Sequence, residues 1–79
     1  LAVLAQQVAE EQGVERVQAM IDARMGEAYV GLYRRGERGL MELQGVERLL
    51  PLKQLDFEPE ALAAGSALKA LAETGSDLP

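Results

Sequence analysis

Two apolar runs, Val17 to Asp22 and Ala28 to Tyr33, alternate in character and flank a short polar loop containing a glycine. That is the pattern of a β-hairpin, here spanning 16–35. On the first run Val17, Ala19 and Ile21 share one face, while Gln18, Met20 and Asp22 share the other. On the second, Ala28, Val30 and Leu32 oppose Tyr29, Gly31 and Tyr33. Apolar residues therefore occupy both faces. A strand pair with one wet face carries polar residues at alternate positions, so this hairpin belongs in the middle of a sheet covered on both sides. In the loop, Asp22 is placed to accept the backbone N–H two residues on, and Gly26 to take φ > 0. Those are the parts of a type I turn closed by a bulge. Arg24 and Glu27 then sit at the tip of a stiff element.

The rest of the chain supplies what could cover such a hairpin. Leu1, Leu4, Ala5 and Val8 recur at helical spacing, Gln6, Gln7, Glu10 and Glu11 take the other side, and Gly13 is a stop. A helix is expected over 1–12. It has no capping residue at its start, and such a helix leading into a two-sided strand suggests a piece of a longer chain. After the hairpin, Gly36-Glu37-Arg38-Gly39 reads as a turn. A third strand is expected over about 40–49, at an edge because its alternation is imperfect, with Gly45 as a bulge or an early end. Pro51 suits the first position of a short helix over about 51–56, from which Leu52 and Leu55 reach back to the sheet. Residues 61–64 are compatible with a buried strand or with the start of a helix. Ser66 is a good N-cap for a helix over about 67–74 with Leu68, Leu71 and Ala72 as its apolar stripe, and Thr74 to Pro79 reads as an end or linker.

Composition removes whole classes of chemistry. The 79 residues make one domain at most, burying roughly 60–65% of the surface of the unfolded chain. Cysteine and histidine are both absent from the sequence. Disulfides, thiolate nucleophiles and imidazole bases or ligands are excluded with them, and no cofactor or metal set is expected. Ser66 and Ser76 are the only serines, with no base to activate either. A net charge of −5 gives no electrostatic reason for direct nucleic-acid binding. No apolar run approaches the roughly 20 residues of a membrane span, which leads to the expectation of a cytoplasmic protein.

The loop itself carries a family resemblance. Ile21-Asp22-Ala23-Arg24-Met25-Gly26-Glu27-Ala28-Tyr29 closely resembles the IDARMGEVY stretch of the TsaB family, also called YeaZ, and the flanking helix and Gly-rich turn are similar in order and spacing. Ala28 departs from the pattern, standing where the family more usually has valine. The resemblance implies an α/β fold, a partial ribonuclease-H-like domain of the actin and Hsp70 ATPase superfamily. Within it a three-strand antiparallel meander, a fourth strand and flanking helices are expected. It implies that 1–79 is a single fragment of the second such domain. The threonine-containing loop and the GPGSFTG-like segment of the first domain do not occur here. It also implies a non-catalytic scaffold in the synthesis of threonylcarbamoyladenosine in tRNA, with TsaD-like and TsaE-like proteins as partners.

Two other functional classes stand beside the scaffold. One is an ATPase or peptidase, as the superfamily and older glycoprotease labels for the group suggest, against which the missing histidines weigh. The other is a self-associating structural module, since a two-sided hairpin with open edges favours pairing between copies. The tip residues Asp22, Arg24, Gly26 and Glu27 are the candidate interdomain or partner contact, with turn chemistry and surface charge as the plainer account. An arginine fixed at a tip can pair with a carboxylate or phosphate. Arg34, Arg35 and Arg38 read as solvated turn charges or a small basic cluster. Tyr29 and Tyr33 read as core or half-core, and Met20, Met25 and Met41 as ordinary packing.

Overall fold

The hairpin pattern dictates the centre of the sheet. The computed structural model describes residues 1–73. In it β1 (Arg16–Arg24) and β2 (Glu27–Arg35) pair antiparallel from Arg16 opposite Arg34 to Arg24 opposite Glu27. Val17, Gln18, Ala19 and Met20 are all buried, so β1 is covered on both faces at that end. Helix α1 (Ala2–Gln12) seals one face, where Ala5 and Ala9 meet Val17, Ala19 and Tyr33. On the other face Met20 and Ala28 pack against Leu52, Ala67 and Leu71, the last two from helix α2 (Ser66–Glu73). Val17 and Met20 are the largest side chains fully removed from water. Each contributes about 1.5–3 kcal/mol by burial.

Three further short strands complete a five-stranded sheet. β3 (Met41–Leu43) and β4 (Arg48–Pro51) both lie along β2, and β5 (Leu62–Ala64) runs parallel to β1 on its far side. The third strand expected over 40–49 is thus two strands. Gly45 takes φ +81, which breaks the extended run, while the Gln44 amide still donates to the Leu32 carbonyl at 2.8 Å and keeps the edge attached. The short helix expected over 51–56 reduces to one 3-10 turn, Leu52–Gln54, and Pro51 ends β4 with extended dihedrals. Competition for hydrogen bonds explains this. The Leu52 amide donates to the Gly26 carbonyl at 2.8 Å, so it anchors the turn to the hairpin. Downstream, the buried Gln18 side chain donates to the Asp56 carbonyl at 2.6 Å and accepts from the Glu58 amide at 2.8 Å. Those two bonds hold the segment beyond the 3-10 turn open.

The apolar stripe of α2 also differs from the expected one, with Ala67 and Leu71 buried and Ala72 exposed. The expected helix end at Thr74 and the tail over 74–79 lie outside the described residues. Arg35 is not a solvated turn charge: its Nη2 donates to the Ala9 and Val14 carbonyls at 3.0 and 3.1 Å, tying the end of α1 to β2. Gln6 grips the following turn, donating to the Gly39 carbonyl at 3.0 Å and accepting from the Met41 amide at 2.7 Å.

Gly65 is where β5, β1 and α2 converge. Its φ is +124, and a Cβ there would collide with the Met20 carbonyl. Gly65→Ala should therefore lower stability by about 2–4 kcal/mol, combining strained dihedrals with a displaced backbone contact. Urea unfolding followed by far-UV circular dichroism measures it, and an unchanged midpoint would contradict this account of the junction.

Candidate functional site

The tip of the hairpin is over-determined by its surroundings. The Arg24 amide donates to Asp22 Oδ1 at 2.9 Å, the contact that the aspartate was expected to make. The Asp22 amide donates to Ser66 Oγ at 2.8 Å, so the hydroxyl at the start of α2 holds the end of β1. On the third side, the Gly26 carbonyl receives the Leu52 amide.

The turn itself differs from the expected one. Register is kept from Asp22 opposite Ala28, shifts by a bulge between Asp22 and Arg24, and closes at Arg24 opposite Glu27. The two turn residues, Met25 and Gly26, have φ +54 and +77, and Arg24 before them has φ +70. Two positive φ values at the centre mark a type I′ turn, which matches strand twist better than a type I turn does. The bulge therefore lies on β1, with Gly26 inside the turn. Positive φ at Arg24 and Met25 is strain that glycine or asparagine would relieve.

The four candidate residues are thus brought to one place. Asp22 and Gly26 build the turn. Arg24 is exposed, Glu27 half-buried, and they face each other across the turn without closing an ion pair. The Arg24 guanidinium makes no hydrogen bond to any described residue. Met25, expected to pack, is 97% exposed and caps the tip. Among the described residues no group of three acidic side chains could hold a metal, and no helix is long and apolar enough to cross a membrane.

Solved structures place this architecture. YeaZ from Pseudomonas aeruginosa superposes with a TM-score of 0.77 and 42% identity over 92% of this chain and 35% of its own. The chain belongs to the YeaZ family, also called TsaB. A second structure, an uncharacterised protein with similarity to peptidase YeaZ from Pseudomonas aeruginosa, matches with a TM-score of 0.69 and 32% identity. It covers 95% of this chain and 48% of its own. The chain thus spans between about a third and a half of these two relatives. Neither a protein-family model nor a curated protein matches it. The fold is the α/β, ribonuclease-H-like one of the YeaZ proteins.

In this YeaZ-family chain a second feature adjoins the tip, one that alternation alone did not reveal. Leu1, Ile21, Tyr29 and Leu49 line a shallow hollow of about 510 Å³ on the α1 face, rimmed by Glu47 and Arg48. Tyr33 is core, 3% exposed, but Tyr29 is half exposed at 50%. The Tyr33 hydroxyl donates to Glu47 Oε2 at 3.2 Å and so anchors one rim of the hollow. The only sequence signal for this arrangement is Gly31, where a Cβ would press on Tyr33, Glu47 and Leu1.

Burial, then the neighbouring Glu47 charge and its hydrogen bond, push the Tyr33 phenol above its ordinary pKa of 10.0. The folded protein therefore holds the proton after the unfolded chain has lost it, and stability falls as pH rises above that value toward the folded pKa. Tyr33→Phe should remove this alkaline loss while leaving stability at neutral pH within about 1.5 kcal/mol, the range of one hydrogen bond. Urea midpoints from neutral to strongly alkaline pH test it, and an alkaline limb of equal slope in both proteins would refute it.

Proposed function

We propose that this chain is part of a non-catalytic scaffold for the bacterial synthesis of threonylcarbamoyladenosine in tRNA. On this reading it acts in the cytoplasm through protein contacts with TsaD-like and TsaE-like partners, and corresponds to the opening part of the second domain of a TsaB protein. The observation that carries the reading is the YeaZ likeness, and beside it stands a hairpin end fixed on three sides whose Arg24 guanidinium has no hydrogen-bond partner among the described residues. Rigid support of the backbone beneath a cation suits recognition, because little loop entropy is lost when a carboxylate docks.

The peptidase reading is favoured only by the words attached to one structural neighbour. The sequence weighs against it, since a chain without histidine or cysteine offers neither the usual zinc ligands nor a base beside a nucleophile.

A chimera tests the scaffold. Placing this segment in the matching 35% of Pseudomonas aeruginosa YeaZ should restore tRNA modification to cells depleted of TsaB. Arg24→Ala with Glu27→Ala in that chimera should cut the modification rate about tenfold or more, the effect of losing a central charged contact. Full activity of the double variant would reduce the tip to a turn, and peptide or ATP hydrolysis by the purified chain would favour an enzyme.

A further inference from the structure

The sheet face that carries α2 is only partly filled. Leu52 and α2 cover Met20 and Ala28, but their neighbours Val30, Leu32 and Leu50 are half-buried and floor a cleft of about 290 Å³. Register sets its width. Gln18 on β1 stands opposite Leu32 on β2, and Val30 on β2 opposite Arg48 on β4, so all three strands present these side chains to the same face. The segment after the 3-10 turn crosses above Gln18, which holds the Asp56 carbonyl at 2.6 Å and the Glu58 amide at 2.8 Å. One bank of the cleft therefore lies over β1 and the other on β4, two strand spacings, about 10 Å, apart.

The banks carry opposite charge. Gln18 grips backbone atoms only, so Asp56 and Glu58 keep their carboxylates unused on a segment that is pinned in place. Arg48 lines the facing bank. All three residues are exposed, and none of their charged groups makes an ion pair or hydrogen bond to a described residue. Opposite charges across an apolar floor suit a ligand that carries both charges and an apolar group. The volume sets its size: it stands at the lower limit of the roughly 300–1,000 Å³ of ligand sites, which fits a small molecule. We propose that this cleft binds a free aliphatic α-amino acid, with its ammonium at Asp56 and Glu58, its carboxylate at Arg48 and its side chain on Val30, Leu32 and Leu50. A guanidinium takes both oxygens of a carboxylate, and the three protons of an ammonium can be shared between two carboxylates. An anion alone meets repulsion from Asp56 and Glu58, and a cation alone meets it from Arg48. That double repulsion selects the zwitterion.

Titration of the chain with L-leucine, followed by heteronuclear NMR, tests the site. The expected result is saturable millimolar binding that shifts the side-chain amide signals of Gln18 and Gln54 and weakens as salt is added. Isocaproate, which lacks the ammonium, and isoamylamine, which lacks the carboxylate, should each bind about fivefold more weakly or worse, the effect of one exposed charge pair. Arg48→Gln should weaken leucine about fivefold, and Asp56→Asn with Glu58→Gln at least as much, with thermal midpoints unchanged because these positions are exposed. Shifts that do not saturate overturn the proposal, and so does equal binding of the two single-charge analogues or indifference to both variants. The outcome is independent of tRNA modification by the chimera, so either reading can fail without the other.

Discussion

Burial of β1 on both faces is the constraint from which the remaining structure follows. Four consecutive buried residues, Val17 to Met20, cannot be satisfied by one helix, because successive side chains point in opposite directions. The chain must therefore bring one layer from before the hairpin and another from after it. Helix α1 arrives first and uses alanines at the contact, which lets it sit close to Val17 and Ala19. The second layer is assembled from smaller parts: a 3-10 turn, an extended segment and α2. One polar side chain makes that assembly possible. Gln18 lies where an apolar residue would ordinarily stand, and its buried amide is itself satisfied by a backbone carbonyl and a backbone N–H of the crossing segment.

The same economy fixes the tip. Gly65 lets β5 pass into α2 against the Met20 carbonyl, and this close approach sets Ser66 beneath the Asp22 amide. A contact in the core is thereby transmitted to the hairpin end. Without it, strain at Arg24 and Met25 would relax by fraying, since a two-residue turn has few contacts of its own. With it, the strained conformation persists and the Cα–Cβ bonds of the two residues keep fixed directions.

How much of this was legible in the sequence depended on whether a signal was periodic or pairwise. The hairpin, its two apolar faces and α1 announce themselves through periods of two and 3.6, and the nine residues from Ile21 to Tyr29 carried the family likeness. The division between β3 and β4 did not, because a glycine in a strand signals equally a bulge, an end or a change of direction, and only the φ of Gly45 decides. The reduction of the helix over 51–56 to a single turn rests on bonds to Gln18 and Gly26, more than twenty residues away, which no local propensity can register. For Arg35 the error was of the same kind: beside Arg34 and Arg38 it looks like one of a solvated group, yet it spends its donors on carbonyls of α1 and the loop after it. At the site, Asp22 and Gly26 were readable because turns have residue-specific chemistry. Met25 was not, since nothing in its neighbours tells that a methionine will be left outside.

That last residue bears on how the two surfaces near the tip relate. Alternation labels Ile21, Tyr29 and Leu49 as core by the same rule that labels Val17, Ala19 and Tyr33. The rule fails at one end of the strand only because helices rise half as far per residue as strands do. A helix long enough to cover the whole face would need about twice the residues of α1. The uncovered row is therefore a continuation of the core and not an accident of composition, and it keeps the packing chemistry of a core: flat, apolar and pinned in register by β2. The adjoining Met25, flexible and polarisable, is held outward at a strained position and leaves 97% of its surface in water. An uncovered core row and an unburied apolar side chain within a few residues of each other concentrate the exposed apolar surface at one end of the hairpin, where the same strain and register that fix the turn also fix its place.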